Sequence, residues 1–463
     1  MTERSPAPRV AHHFRLGRTL AVVAVLGAVA YFLSAGPGGR TLTPGAVLTS
    51  ASSFGLSGTV GGLAPGVSST LVVTATNPYN VPVTLTSVTV SIPTVPANCP
   101  ASNLTLANSA FAGSPPAVTV TGLSQAVPAN GSATVPLAIL LARNAGNGCQ
   151  STTFPFSYSA TASYTAATST VLASSVNPSL FGSAVTFAAT VTASPPAPNP
   201  PPGTVTFYLC TNPANLASGS PASACSTSVT LSPPVTVDGS GKASLSTSSL
   251  PGGSYPIFAS FTPSDATSYA ASSSASITQT VTFSKACITT TVPGFTVAAG
   301  QSICVSPPGK VTGAVTVNSG GALSLSGATL SSTLTATGGA ALRFCGATIA
   351  GSVSVSATTG FVMAGDGGDE GQPACTGNTL KSSLSLSSNS GGFEIAGNKI
   401  TGSVSATGNT GTGPFWQDAA PEIEGNSISS SLSCSDNNPA PSDGGQSNTV
   451  SGPRYGQCSA AGF

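Results

Sequence analysis

An all-β chain is expected, two β-sandwiches followed by a parallel β-helix, with one apolar helix at the N-terminus. Three observations predict it. Only 5% of the 463 residues are charged, and Ser, Thr, Ala, Gly and Val dominate, a composition suited to strands with small side chains and tight turns. From Ser57 to the middle of the chain, short alternating apolar runs recur between clusters of turn residues, the pattern of half-buried strands. Towards the C-terminus a phrase Gly-x-x-[Ile/Leu] returns at residues 327–330, 346–349, 377–380, 397–400 and 425–428. A repeat that short builds a coil whose turns bury their aliphatics against one another.

The N-terminal element is an export segment. Residues 1–18 carry Arg4, Arg9, Arg15 and Arg18, and residues 19–35 form a nearly uninterrupted apolar run. Basic before apolar keeps the N-terminus inside and sends the C-terminal remainder of the chain across the membrane. The run is short for a span of ~20 residues and long for a signal core of roughly 7 to 15. A single-span membrane anchor and a cleaved signal peptide both stay open, and in either case the chain beyond a linker at 36–56 is extracytoplasmic, membrane-bound or secreted. Cysteine usage agrees: all 10 cysteines lie beyond the run, and an even number in an oxidising compartment favours disulfides. Nearest neighbours pair as Cys99 with Cys149, Cys210 with Cys225, Cys287 with Cys304, Cys345 with Cys375 and Cys434 with Cys458.

Residues 57–165 are expected to form the first sandwich, from runs such as Thr-Leu-Val-Val-Thr-Ala-Thr at 70–76 and Ala-Thr-Val-Pro-Leu-Ala-Ile-Leu-Leu at 133–141, with turns at 77–80 and Asn130-Gly131. Residues 166–284 are the second. Thr-Ser-Thr-Val-Leu at 168–172, Asn-Pro-Ser-Leu-Phe-Gly-Ser-Ala-Val-Thr-Phe at 177–187, Gly-Thr-Val-Thr-Phe-Tyr at 203–208, Gly-Lys-Ala-Ser-Leu at 241–245, Leu-Pro-Gly-Gly-Ser-Tyr at 250–255 and Tyr-Ala-Ala-Ser at 269–272 together resemble the group 3 bacterial Ig-like domain. The resemblance implies an immunoglobulin-like sandwich, usually a spacer or adhesive unit without catalytic residues. In physical terms Asn177-Pro178 makes a turn, Val185 and Phe187 alternate into the core, and Gly252-Gly253 is expected to make a tight hairpin. An insertion between Tyr208 and Val229 holds Cys210 and Cys225, which close a stapled loop.

Residues 285–463 carry the repeat. Turns of about 19 to 20 residues stack Leu330, Ile349, Leu380, Ile400 and Ile428 in one inward column, Leu334, Val353, Leu384, Val404 and Leu432 in another, and Leu325, Phe344, Ile395 and Ile423 in a third. A partial first turn is expected from Val311, with interruptions after Gly365 and before Pro421. Asn378, Asn398 and Asn426 share the turn position, where Asn tolerates a left-handed backbone and bonds along the stack. Cys434 and Cys458 staple a polar cap over the last open edge. The architecture resembles the right-handed parallel β-helix of the pectate-lyase type, which polysaccharide lyases, glycoside hydrolases and non-catalytic surface proteins share; none of the enzymes' motifs is present.

Candidate chemistry is sparse. His12 and His13 are the two histidines and both precede the export run, so His-dependent triads and zinc sites are excluded beyond it. Nine of the 12 acids lie after residue 360. Asp366, Asp369 and Glu370 in one Gly-rich interruption are a candidate Ca2+ site, since calcium takes several carboxylate oxygens; a solvated acidic loop is the alternative. Asp418, Glu422 and Glu424 mark the other interruption, and paired acids there could serve a glycosidase; Arg343, Lys381 or Lys399 could serve a lyase as base. Phe415 and Trp416, the latter the sole Trp, are the candidate ligand-binding residues, able to stack on a sugar ring. No basic patch interleaved with aromatics indicates nucleic acid.

The sequence therefore predicts a non-enzymatic surface or secreted protein, with an Ig-like stalk presenting a β-helix for adhesion or glycan contact. It has no cofactor beyond the calcium, and its partners are a polysaccharide or a cell-surface protein, with the membrane reached through the N-terminal span. A secreted polysaccharide lyase or glycoside hydrolase working through the acidic loops is the alternative, and a purely structural envelope component is a third class.

Overall fold

The computed structural model describes residues 48–49, 55–60, 62–79, 81–149, 152–194, 200–211, 218–368, 375–460 and 463. The expected apolar helix at 19–35 lies outside them; among the described residues no helix is long and apolar enough to cross a membrane. Strands dominate, and helical structure among the described residues is confined to short 3-10 turns such as Ala101–Asn103 and Ala222–Ala224. Two compact units divide at Ala166.

The first unit is a sandwich. One sheet orders Leu48–Thr49, Ser157–Ser163, Val83–Ser91 and Ala117–Val127; the other orders Gly55–Val60, Ser68–Thr76, Ser132–Leu141, Leu104–Leu106 and Ser109–Ala110. The strand pairings of Leu48 and Thr49 with Ala162 and Thr161 carry the sandwich into the stretch expected to be linker. Leu71, Val73 and Ala75 face Val135, Leu137, Ile139 and Leu141 in their buried alternation. In the opposite sheet Val83 and Leu85 are buried, then Val88 and Val90. The alternation skips one position because the register shifts between Leu85 and Ser87, a bulge that lets the strand keep its apolar face inward. The turn that begins at Asn77 is held by that buried side chain, whose Nδ2 donates to Val81 O at 2.7 Å while its Oδ1 accepts from Tyr79 N at 3.0 Å.

In the second unit the Ig-like sandwich comes first. Ala167–Ser174, Val185–Ser194 and Lys242–Thr247 form one sheet. Ser179–Leu180, Ile277–Thr282, Gly253–Pro263, Gly203–Cys210 and Ser228–Thr230 form the path of the other, with Val235–Thr236 and Ser272–Ser273 at its side. Val185 and Phe187 meet Val205, Phe207, Ile257 and Phe261 in the core. Gly252-Gly253 is not a hairpin: Lys242–Thr247 and Gly253–Pro263 lie in different sheets, so the glycines carry the chain across the sandwich. Gly252 is required there because a Cβ would overlap the Phe283 ring.

The β-helix has three parallel sheets. A short-strand sheet runs from Thr291–Val292 through Lys310–Val311, Thr329–Leu330, Thr348–Ile349, Thr379–Leu380, Lys399–Ile400 and Ser427–Ile428 to Thr449–Val450. A middle sheet runs from Phe295–Val297 through Val315–Val317, Leu334–Thr337, Val353–Ser356, Leu384–Ser387, Val404–Thr407 and Leu432–Ser435 to Arg454–Gly456. A broad sheet takes Ser302–Val305, Ala322–Ser326, Ala341–Cys345, Val362–Ala364, Phe393–Ala396 and Glu422–Glu424. The three expected columns are in register and buried, with Ala364 inserted between Phe344 and Ile395. The first turn starts at Thr291, one turn before the expected Val311, because Val292 pairs with Val311 and Val297 with Val317.

Two amide ladders run up the corners of this coil. Asn378, Asn398, Asn426 and Asn448 are buried, each Nδ2 donating to the next Oδ1 at 2.8–2.9 Å. A second ladder links Asn389, Asn409, Asn437 and Gln457. These ladders fix the turn backbone where no strand pairing reaches it. All five disulfides join the nearest-neighbour pairs. At the C-terminal end Cys434–Cys458 and the bond from Arg454 Nε to Phe463 O at 2.9 Å close the coil.

Candidate functional site

Successive side chains of a strand point to opposite faces. In the broad sheet Leu325, Phe344, Ile395 and Ile423 point inward, so Ser324, Arg343, Met363, Glu394 and Glu422 form one stacked column on the outer face. Outer-face residues of a solenoid ordinarily meet water. Here they are buried: the Ig-like domain docks over Arg343 and Met363, and loops of the β-helix cover Glu394 and Glu422. Phe181 meets Phe361 edge-on at 6.0 Å between ring centroids and Phe283 at 5.5 Å. Phe361, Met363, Ala322, Ala341 and the Cys345–Cys375 disulfide belong to the same apolar cluster as the core residues Phe187, Phe207 and Phe261. The small residues Ala322 and Ala341 sit under Gly182, where a Cβ would press on both methyls. One hydrophobic core therefore crosses the domain boundary.

Beside this apolar contact lies the acidic part of the face. Glu394, Glu422 and Glu424 are 0%, 8% and 0% exposed, and Glu394 and Glu422 are direct partners on adjacent strands. The loop after Gly365 and the segment that holds Gln446, separate in sequence, converge here. Gly367 N donates to Glu394 Oε1 at 3.1 Å, while Gln446 Nε2 donates to Glu424 Oε1 at 3.2 Å and to Gly367 O at 3.4 Å. A Cβ on Gly367 would fall on the Glu424 carboxylate, so glycine lets the loop backbone approach the acid. Burial pulls the Arg343 guanidinium below its usual range, against the opposing pull of Tyr255, Asp366 and Glu394. Tyr255, from the Ig-like domain, is raised by burial and held back by Arg343. The charged column thus meets the junction at Arg343 and runs from it beneath the β-helix loops.

The sequence candidates fall around this junction. Asp366 Oδ1 accepts from Gly368 N at 2.7 Å; Asp369 and Glu370 lie outside the described residues. Among the described residues no three Asp, Glu, His or Cys side chains are placed to share a metal ion. Asp418 turns back into its own loop, its Oδ2 accepting from Phe415 N at 3.3 Å. Lys381 and Lys399 are exposed and belong to the short-strand side, away from the acids. Phe415 packs partly buried against the shared core. Trp416 is 43% exposed, and its Nε1 donates to Thr230 O of the Ig-like domain at 3.0 Å. The aromatic pair clasps one domain to the other.

Sequence reasoning misses Glu394 and Met363, and it reads Arg343 as a candidate base rather than as a member of a buried column. The signal is present: the position three before Gly346, Gly397 and Gly425 reads Arg343, Glu394 and Glu422, charged where a bare solenoid face has no need of charge.

No curated protein matches the chain. Solved structures with partial likeness include a protein from Corynebacterium diphtheriae described as membrane anchored, at 15% identity and a TM-score of 0.16, covering 51% of this chain and 55% of that one. Red sea bream transglutaminase gives 14% identity and a TM-score of 0.14, covering 49% of this chain and 31% of that one. The chain thus spans about half the length of the first and a third of the second, and at these TM-scores neither likeness bears on fold or function. Residues 172–282 match the family described as the bacterial Ig-like domain (group 3), the family that the motifs between Thr168 and Ser272 resemble.

Proposed function

We propose that this chain is a non-enzymatic extracytoplasmic protein, tethered through its N-terminal apolar segment or secreted, in which the Ig-like domain and the β-helix act as one presenting unit for adhesion to a glycan surface. The observation that carries this reading is the shared junction. Glu394, Glu422 and Glu424, the acids best placed for catalysis, lie buried beneath loop backbone, where a polymer chain does not reach them. The outward offering of the β-helix is hydroxyl. Thr335, Ser354, Ser385, Ser405 and Ser433 stack in one outer column of the middle sheet, beside Thr337, Ser356, Ser387, Thr407 and Ser435. Strand spacing of ~4.8 Å sets their repeat along the coil. Hydroxyls donate and accept, which suits a neutral polysaccharide better than a charged partner. Five disulfides and the group 3 Ig-like domain support the extracytoplasmic setting.

The test is retention of the full chain on immobilised plant, fungal and bacterial cell-wall polysaccharides, with reducing and unsaturated ends assayed in parallel. Retention without product is expected. Product formation would support the lyase or hydrolase reading, and no retention on any polysaccharide would remove the glycan-contact reading.

A further inference from the structure

We infer that the cleft between the Trp416 loop and the Ig-like domain is a binding site for one neutral pyranose ring of a glycan. The inference rests on the glycan-contact reading and locates that contact. The cleft measures about 260 Å³, walled by Leu231 and Leu245 of the Ig-like domain and by Trp416 of the β-helix, with Thr247, Ser249 and Gln417 adding polar groups. This is a little below the ~300 to 1,000 Å³ of pockets that enclose drug-sized ligands. One ring fits such a space, and the remainder of an oligosaccharide stays outside it.

The lining has the two-sided chemistry of a sugar. A pyranose carries an apolar C–H face and a rim of hydroxyls. The indole of Trp416 is held in place by its Nε1 bond to Thr230 O, yet remains 43% exposed, so an aromatic face is already positioned and little rotamer freedom is lost on binding. Thr247 and Ser249 are also oriented in advance: their hydroxyls lie 2.9 Å apart and Ser249 N donates to Thr247 Oγ1 at 3.2 Å. Each hydroxyl keeps capacity for a further partner, and the Gln417 amide both donates and accepts. Among the described residues no charged side chain lines the cleft, which disfavours phosphates and acidic sugars. Leu231, Ser232 and Pro233 come from one domain and residues 413–417 from the other, so the site exists only while the junction is closed.

Trp416 is the sole tryptophan, so its emission reports occupancy directly. The full chain, in a detergent without a sugar headgroup, is titrated with cellobiose, maltose and N,N′-diacetylchitobiose, with acyclic sorbitol as control. The expected result is a saturable shift of Trp emission at millimolar concentration with at least one disaccharide and none with sorbitol. Ser246→Tyr, at an exposed position lining the same cleft, should weaken that titration at least ~10-fold with an unchanged melting temperature. A titration that Ser246→Tyr leaves unaltered overturns the site. Absence of any disaccharide response while the chain is still retained on a polysaccharide also overturns it but leaves the glycan-contact reading standing. Absence of both overturns the two together.

Discussion

The amide ladders are the feature of the β-helix whose removal has the most readily worked consequence. Asn398 sits inside the first stack. Its Oδ1 accepts from Asn378 N and Asn378 Nδ2, each at 2.8 Å, and its Nδ2 donates to Ala364 O at 2.6 Å and to Asn426 Oδ1 at 2.9 Å. Asn398→Ala removes these four bonds and leaves their partners buried. At a net ~1 kcal/mol per bond the loss is about 4 kcal/mol. For a cooperative unit of the size of residues 167–463 this corresponds to a fall in Tm of about 6 °C. Ser385→Ala, on the outer side of the middle sheet, is the control and should cost under ~0.5 kcal/mol. Circular dichroism melts and urea titrations followed through Trp416 read both variants. A loss for Asn398→Ala below ~1 kcal/mol, or no larger than that of Ser385→Ala, would refute the assignment of the ladder as the support of the turn backbone.

The same contacts predict other outcomes. Burial raises the Tyr158 hydroxyl from 10.0 to about 12, and that hydroxyl makes no hydrogen bond among the described residues. Its protonated form is the one the folded sandwich holds, so this contribution to stability is complete below pH ~10 and is lost as pH rises through about 12. Tyr158→Phe should therefore abolish that part of the alkaline loss and, at neutral pH, change stability by no more than ~1 kcal/mol and towards stabilisation, measured by denaturant midpoints across pH 8 to 12. Gly367→Ala, which forces a methyl against the Glu424 carboxylate, should destabilise the second unit by ~1 to 3 kcal/mol. Gly445→Ala has open space around it and only a left-handed backbone to strain, so it should cost ~1 to 2 kcal/mol without disturbing Trp416 emission.

The interior of the coil is readable from the chain because each inward column repeats at the same offset from a turn glycine. Leu330, Ile349 and Leu380 align on that offset without coordinates, and so do Asn378, Asn398 and Asn426. The second ladder does not, although Asn389, Asn409 and Asn437 each lie 11 residues beyond a member of the first. The residue before each asparagine of that ladder adopts a positive φ, but only Gly408 at 63° is glycine; Ser388 at 56° and Asp436 at 55° stand at the other two positions, so the visual marker does not repeat. Docking of the Ig-like domain is hidden for a different reason. Phe181 and Phe361 look like ordinary core residues in their own elements, and only tertiary packing decides that they meet. Charge at Arg343 and Glu394 is visible, yet on an isolated strand it reads as a solvated face; covering that face turns it into a buried column. The Trp416 loop is legible as special, while its anchor, a backbone carbonyl at Thr230, has no sequence signature at all.

The central claim is that the Ig-like domain covers the outer face of the broad sheet, and Met363 tests it. The side chain points out of the β-helix, is 3% exposed and lies in the shared core; the only other methionine is Met1. Native full-length chain treated with hydrogen peroxide and followed by peptide mass spectrometry gives the oxidation rate of each. A docked junction predicts that Met363 is oxidised at least ~10-fold more slowly than free methionine in the same solution, and that the difference disappears in denaturant. Oxidation of Met363 in the native chain at the rate of free methionine would contradict the junction.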